Sequence, residues 1–175
     1  TLAPRNVFED IWELPPGCNM VLEDGRLRTD RYWQLCYDVD RRPRSAEDWA
    51  DELLALLSDA ARLRLRIDVP VGAYVSGGLD STVNAVLVQQ WTRAPLRTFS
   101  VTFDSPEFDE TAYQRQVVDA LGTQHQAIRC TRQDIAQVFP EVIWPVERPV
   151  VRTAPAPLFL LSELVRDSGY KVVLT

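Results

Sequence analysis

The amino-acid sequence predicts an α/β fold in which a mainly parallel sheet lies between flanking helices and follows a shorter β-rich segment. Two observations support this prediction. Short apolar runs alternate with helical patterns from residue 71 onward, and an Asp-Gly turn joins two apolar runs near the N-terminus. Strands separated by helices are connected by right-handed crossovers, which produce parallel sheets. Ligands bind such sheets at the carboxyl ends of the strands.

The first part of the chain, residues 1–37, has the pattern of antiparallel strands. A Pro-Pro-Gly turn is followed by Asp24 and Gly25 between apolar runs, and an Asp-Gly pair in that setting predicts a β-hairpin. Residues 38–44, with the sequence DVDRRPR, are charged and contain a proline. This segment therefore predicts a linker between two structural units.

The remainder of the chain begins with a helix signal. Ser45 followed by Asp48 has the pattern of a capping box, and apolar residues spaced three and four apart predict a helix over about 46–66. The next predicted elements alternate in type. They are a strand at 71–75, a helix at 81–91, a strand at 96–103, a helix at 109–121, a strand at 126–129, helices at 131–139 and 157–166, and a strand at 170–174.

Composition argues against several functions. The net charge is −6, from 19 basic and 25 acidic residues, whereas nucleic-acid-binding surfaces carry excess positive charge. No run approaches the roughly 18 apolar residues of a membrane-spanning helix, and no signal peptide is visible. Cys18, Cys36 and Cys130 are odd in number and form no CxxC pair. They predict buried thiols in a reducing cytoplasm rather than a zinc site or disulfides.

The segment Ser76-Gly77-Gly78-Leu79-Asp80-Ser81, between a predicted strand and a predicted helix, has the composition of an anion-binding loop. Glycines allow a sharp turn and close approach of a ligand, and the unpaired N–H groups of a helix start attract phosphate. The two serines add hydroxyl donors. Asp80 would repel a phosphate unless a cation lies between them, so it predicts a bridging Mg²⁺. The alternative is a glycine turn in which Asp80 or Ser81 only caps the helix.

A resemblance to a known family extends this interpretation. The string SGGLDS resembles the pyrophosphate loop of ATP pyrophosphatases. The string ELPPG, followed by GRLRTDRYWQL, resembles the end of a glutaminase domain. FDETAYQRQVVDALGTQHQ and PLFLLSELVRDSGYKVVLT resemble the synthetase domain of glutamine-hydrolysing asparagine synthetases. The resemblance implies an adenine nucleotide α-hydrolase-like fold, with 1–37 as the tail of a type 2 glutaminase domain, 38–44 as a linker and 45–175 as the first part of the synthetase domain.

The same resemblance implies a nucleotide site. The residues implied to hold the β- and γ-phosphates of ATP are Ser76, Gly77, Gly78, Asp80 and Ser81. Among them, Asp80 would be the catalytic carboxylate and would bind Mg²⁺. Val75 and Val101 match positions that contact adenosine, largely through backbone atoms, with core packing as the alternative for their side chains. The sequence lacks a Gly-Lys-Ser/Thr ending and does not match Gly-x-Gly-x-x-Gly.

The implied reaction is ATP-dependent synthesis of asparagine by a cytoplasmic ligase that forms C–N bonds. Aspartate would be adenylated to β-aspartyl-AMP with release of pyrophosphate, and ammonia derived from glutamine would form the amide. The expected partners are these small molecules, without nucleic acid or membrane, and a homodimer is the candidate assembly. Because the chain starts at Thr1 and ends before the family's Gly-Glu-Gly-x-Asp-Glu loop, we expect an interior fragment that completes neither half-reaction alone.

Other polar residues have competing interpretations. Arg152, in a proline-rich segment with Glu147 and Arg148, is a candidate partner for the carboxylate of the substrate, against an ion-paired or solvated arginine. The only histidine, His125, is expected to be structural rather than catalytic. In a separate position, Asp109 and Glu110 could bind a metal or cap a helix, and capping is the commoner role.

Three alternative functions remain open. One is another adenylating enzyme with the same loop, such as a tRNA-modifying thiolase, GMP synthetase or NAD synthetase. A second is an intramolecular amide-forming homologue, similar to β-lactam synthetases or lasso-peptide cyclases. A third is a non-catalytic nucleotide-binding module, which would have little need of a carboxylate such as Asp80 beside the phosphates.

Overall fold

The computed structural model describes residues 3–37, 43–92 and 95–175. The chain forms two compact units. The smaller unit contains the chain up to residue 43 together with 143–151, and the larger unit contains 44–142 and 152–175. Within the described part of the chain, no helix combines the length and hydropathy that would be needed to cross a membrane.

The smaller unit contains an antiparallel hairpin of two strands, β1 (Cys18–Glu23) and β2 (Arg26–Arg31). Asp24 and Gly25 form its two-residue turn, with φ of 49° and 72°. Positive φ at both positions is required by the type I′ turn that fits the twist of paired strands, which explains the Asp-Gly pair. The predicted hairpin is confirmed. Its side chains are almost all exposed on both faces.

The larger unit begins with helix α1 (Ala46–Arg64), whose start confirms the predicted capping box. The Ser45 hydroxyl accepts from the Asp48 N–H at 3.0 Å, and the Asp48 carboxylate accepts from the Ser45 N–H at 2.9 Å. These two bonds satisfy donors that a helix start otherwise leaves unpaired. Most of the predicted linker, residues 38–42, lies outside the described residues.

The following elements alternate between strands and helices, as predicted. They are β3 (Val71–Tyr74), α2 (Leu79–Trp91), β4 (Arg97–Phe103), α3 (Thr111–Leu121), β5 (Gln124–Cys130), α4 (Arg132–Val146), α5 (Pro155–Asp167) and β6 (Val172–Leu174). The four strands form one parallel sheet in the order β5-β4-β3-β6. This confirms a parallel sheet with flanking helices that follows a β-rich N-terminal part.

Two apolar clusters lie on opposite faces of this sheet. The first contains Ala73, Val75, Ala85, Val88 and Leu96, against which Val117 and Leu121 of α3 pack. The second contains Phe99, Leu161 and Val165, with Tyr74, Val101 and Ile128 packed against it. Helices α2 and α3 therefore cover one face and α5 covers the other, as parallel sheets require.

The largest difference from the sequence prediction is the length of α4. We expected this helix to end at residue 139, but it continues to Val146 through Pro140 and Pro145. An internal proline removes one helical hydrogen bond and favours a helix end. Val138 and Val142, on either side of Pro140, are buried, and this burial offsets the lost bond.

Candidate functional site

The glycine-rich loop leaves the carboxyl end of β3 and enters α2. Tyr74 lies opposite Phe99 in the parallel ladder, and the Val75 N–H donates to the Phe99 carbonyl at 2.9 Å. Extending this register by two residues sets Ser76 level with Val101 on β4. The loop therefore lies at the edge of the sheet where ligands of parallel folds bind.

Gly77 can be replaced by no other residue without strain. Its φ is +89°, and a Cβ at this position would lie 2.8 Å from the Tyr113 Cβ and 3.1 Å from the Gln114 nitrogen. A side chain is thus excluded both by the left-handed backbone and by the start of α3. Gly78 has φ of −77° and serves a different role, since it is the N-cap of α2.

The hydroxyls of the loop are already hydrogen-bonded to the loop itself. The Ser76 and Ser81 oxygens are 2.9 Å apart, and Ser81 Oγ donates to the Gly78 carbonyl at 3.1 Å. The Gly78 N–H donates to Ser76 Oγ at 3.2 Å. These bonds connect the two ends of the loop, and either hydroxyl must rotate in order to donate to a phosphate.

Helix α2 begins at Leu79, two residues before its predicted start. Its N-cap residue is Gly78, so neither Asp80 nor Ser81 occupies the N-cap position, while the Ser81 hydroxyl bonds to the turn through the Ser76 N–H and the Gly78 carbonyl. The first helical bond runs from the Thr82 N–H to the Gly78 carbonyl at 3.1 Å. The N–H groups of Leu79, Asp80 and Ser81 therefore have no helical acceptor, and they are available to an anion.

The Asp80 carboxylate is exposed in the first turn of α2. Among the residues described, no group of three His, Cys, Asp or Glu side chains is arranged to hold a metal ion. A carboxylate oxygen is a suitable ligand for Mg²⁺, which is usually bound by one or two carboxylates together with phosphate oxygens. Asp80 therefore fits a magnesium ion that also contacts a bound nucleotide.

Val75 and Val101 lie at neighbouring strand ends but their side chains point to opposite faces. Val75 is 1% exposed and packs with the α2 face, whereas Val101 packs with the α5 face. The predicted packing role of both side chains is therefore observed. The Val101 side chain is only partly buried, and the Val101 carbonyl accepts from Gln114 Nε2 at 3.0 Å.

Two residues that the sequence analysis did not select support this region. Thr82 Oγ1 donates to the Gly78 carbonyl at 2.7 Å, which reinforces the N-cap of α2. Gln114 is 4% exposed, on α3. It shares the helical stripe of Val117 and Leu121, at spacings of three and seven. A polar side chain within an apolar stripe was the signal that could have identified Gln114 from sequence.

A separate cavity of about 990 Å³ opens at the carboxyl ends of β4 and β5. Its wall includes Phe103, Asp104, Phe108, Cys130, Arg132 and Arg152. None of the residues of the 76–81 loop lines it. Burial, with the nearby charges of Asp134 and Asp104, raises the pKa of the Cys130 thiol. Arg152 thus lies on a cavity that the 76–81 loop does not line, with aromatic, aliphatic, polar and charged residues around it.

The remaining candidates have structural partners. The Asp109 carboxylate accepts from the Thr111 N–H at 3.1 Å, and its bonds to Thr111 lower the pKa of Asp109. This favours helix capping over metal binding, although α3 begins at Thr111 with Glu110 as its N-cap residue. In the smaller unit, Arg148 pairs with Glu13 at 2.6 Å. The role of Arg152 as a substrate partner stays a prediction.

Comparison with known proteins gives a consistent result over most of the chain. Residues 52–175 match the family model described as asparagine synthase. A protein of Methanocaldococcus jannaschii that is assigned as glutamine-hydrolysing asparagine synthetase 2 is 31% identical over 168 residues, which is 94% of this chain and 32% of that protein. Asparagine synthetase B of Escherichia coli is 28% identical over 184 residues, covering 97% and 32%.

A relative with a different name is equally similar. Amidase chyE of Penicillium rubens is 28% identical over 191 residues, which covers 99% of this chain and 28% of that protein. The chain spans about a third or less of the length of these three relatives.

Proposed function

The chain belongs to the asparagine synthase family, and we propose that it carries the ATP-binding part of an enzyme that forms an amide by first adenylating a carboxylic acid. In this proposal residues 45–175 are the first part of the synthetase domain, and 1–37 are the tail of a glutaminase domain. The resemblances of sequence described above support both assignments.

The observation that carries the proposal is the geometry of the 76–81 loop. Gly77 has a left-handed backbone pressed against α3, and three N–H groups at the start of α2 lack helical acceptors. Such a loop followed by a helix start binds phosphate groups through fixed N–H donors and the positive end of the helix dipole. We therefore propose the pyrophosphate portion of ATP as its ligand, with adenosine beside the backbone of Val75 and Val101.

The proposed reaction begins when an oxygen of the β-carboxylate of aspartate forms a bond to the α-phosphorus of ATP. The bond from this phosphorus to the bridging oxygen breaks, and pyrophosphate departs with the electron pair. The N–H donors of the loop stabilise the negative charge that grows on pyrophosphate, because they are oriented before the reaction begins. The nitrogen of ammonia then forms a bond to the β-carbonyl carbon, the bond from this carbon to the AMP oxygen breaks, and AMP departs with the electron pair. The nitrogen releases one proton to solvent and the amide remains.

Magnesium, held by Asp80 and phosphate oxygens, would neutralise part of the charge of the triphosphate when bound. Asp80 contributes a carboxylate at the first turn of α2, where it can hold a cation without occupying the N–H donors. We propose glutamine as the source of ammonia and the cytoplasm as the site of action, in line with the assigned activity of the relatives.

A carboxylic acid acceptor would bind in the cavity at the carboxyl ends of β4 and β5. Arg152 lies on the wall of the cavity at β4 and β5, where a planar guanidinium can pair with a carboxylate through two hydrogen bonds. Aspartate is the first candidate. The size of the cavity and its aromatic wall, Phe103 and Phe108, favour keeping a larger carboxylic acid as the second candidate. A relative named as an amidase supports testing both.

Calorimetric titration with ATP tests the nucleotide site. We expect ATP to bind the wild-type protein more tightly with Mg²⁺ than without it, and Asp80→Ala to lose most of this difference. Asp119→Ala, which removes an exposed carboxylate from α3, is the matched control and should retain it. Equal Mg²⁺ dependence in wild type and Asp80→Ala would contradict the proposal. Titration of the nucleotide-bound protein with aspartate and with larger carboxylic acids would then identify the acceptor.

A further inference from the structure

We propose that Gln114 is a positioning residue of the nucleotide site, which fixes the carboxyl end of β4 relative to the 76–81 loop. The inference rests on the proposed ATP site, because it assigns the support of one wall of that site. Gln114 is a buried residue on α3. Its side-chain amide contacts the Val101 carbonyl on β4, and its backbone nitrogen lies beside Gly77 of the loop.

The Gln114 side chain contacts the carbonyl of Val101. The Phe99 carbonyl accepts from the Val75 N–H, and alternate carbonyls along a strand point to the same side. The Val101 carbonyl therefore also points toward β3. At this level, however, β3 has ended at Tyr74 and the chain has turned into the loop. Gln114 Nε2 takes the place of the missing strand partner and donates to Val101 at 3.0 Å.

The orientation of the Gln114 amide is fixed by a chain of hydrogen bonds. A carbonyl can only accept, so the amide nitrogen faces Val101 and the amide oxygen accepts from Ser100 Oγ at 3.0 Å. The Ser100 oxygen then accepts from His125 Nε2–H at 3.1 Å, and His125 Nδ1 accepts from Thr98 Oγ1 at 3.0 Å. Ser100 and Thr98 are buried, so these bonds have little competition from water.

The backbone of Gln114 lies beside the backbone of the loop. The Gln114 nitrogen lies 3.1 Å from the position where a Cβ of Gly77 would be, and it donates to the Glu110 carbonyl at 3.0 Å. The backbone of Gln114 thus limits the loop while its side chain holds Val101. The two contacts are separable, because a substitution at Gln114 removes the side-chain bonds and leaves the backbone in place.

This separation predicts an uneven effect on the two halves of the nucleotide. Loss of the Gln114 amide should displace the Val101 carbonyl and weaken binding of the adenosine portion. Binding of pyrophosphate should persist, because the N–H donors of the loop and α2 do not depend on that side chain. A general loosening of the fold would weaken both ligands together.

The test compares binding of AMP and of magnesium pyrophosphate by calorimetry to the wild-type protein and to Gln114→Met, which keeps the length of the side chain. We expect AMP affinity to fall about tenfold, the scale of one buried hydrogen bond, and pyrophosphate affinity to change less than about twofold. Ser100→Ala, which removes only the bond to the amide oxygen, should shift AMP affinity in the same direction by less.

Leu121→Ala is the matched control, since it destabilises the opposite end of the same helix. It should change stability but not the ratio of the two affinities. Unchanged AMP affinity in both Gln114→Met and Ser100→Ala, or a parallel loss of AMP and pyrophosphate affinity, would overturn the inference while the nucleotide site stands. If the wild-type protein bound neither AMP nor magnesium pyrophosphate, the proposed nucleotide site would be overturned, and this inference with it.

Discussion

The loop at the end of β3 and the cavity at the ends of β4 and β5 lie along the same edge of one sheet, yet they are built from different parts of the chain. The loop presents backbone N–H groups and is closed by the bond between Ser76 and Ser81. The cavity presents long side chains, among them Phe108 and Arg152. Backbone donors fix a site for one chemical group, whereas side chains permit variation in what is recognised.

The largest expected effect comes from placing a side chain on the loop. In Gly77→Ala the new Cβ would meet Tyr113 and Gln114, and the left-handed backbone adds strain. We expect ATP affinity to fall by about a hundredfold and the free energy of unfolding to fall by about 1–3 kcal/mol, the range for such strain. Calorimetry and denaturant unfolding would measure the two quantities.

Gly122→Ala is the control for this experiment. Gly122 also has positive φ, at 61°, but a Cβ there would meet nothing within 4 Å. This variant should lose only the stability that the strained backbone costs, and its affinity for ATP should be unchanged. Equal losses of affinity in the two variants would mean that the contact with α3 does not shape the loop.

A smaller effect, confined to the other region, is expected from the cavity. Arg152→Met removes the guanidinium but keeps much of the length of the side chain. The dissociation constant of the carboxylic acid should rise about tenfold to a hundredfold, the scale of one charge-assisted pair, while the affinity for ATP stays within about twofold. Calorimetric titration with the acid and with ATP would measure this difference.

Arg148→Met, which removes an arginine paired with Glu13 outside the cavity, should leave both values unchanged. A loss of ATP affinity in Arg152→Met equal to the loss of affinity for the acid would show that the loop and the cavity do not act as separate regions.

The smallest expected effect is the pH dependence of stability that comes from His125, which is hydrogen-bonded to Thr98 and Ser100. Burial lowers the pKa of His125 from its ordinary value of 6.5, so the unfolded chain takes up a proton at higher pH than the folded chain does. Stability is therefore complete above about pH 6.5 and falls as the pH decreases toward the lower pKa of the folded state.

Thermal unfolding between about pH 7 and about pH 5.5 would detect this dependence, because the carboxyls of Asp109 and Asp134, whose pKa values are lowered, titrate below that range. His125→Asn should show a flatter dependence than the wild type. Parallel curves for the two proteins would rule out His125 as the source.

Local signals in the sequence were sufficient for several features. The capping box of Ser45 and Asp48, the hairpin turn at Asp24 and Gly25, and the alternation of strands and helices all match the structure. Each depends on hydrogen bonds or backbone angles between residues a few positions apart, or on apolar periodicity. The position of the 76–81 loop between a strand and a helix was predictable for the same reason.

Other features depended on contacts between distant parts of the chain. The extension of α4 through Pro140 follows burial of Val138 and Val142, which no local pattern reveals. The sequence placed the 76–81 loop and its glycines, because turn geometry and helix starts are local properties. Only the tertiary structure brought Gln114 to Val101 and placed Arg152 on a cavity that the 76–81 loop does not line, because both depend on how elements distant in the sequence pack together.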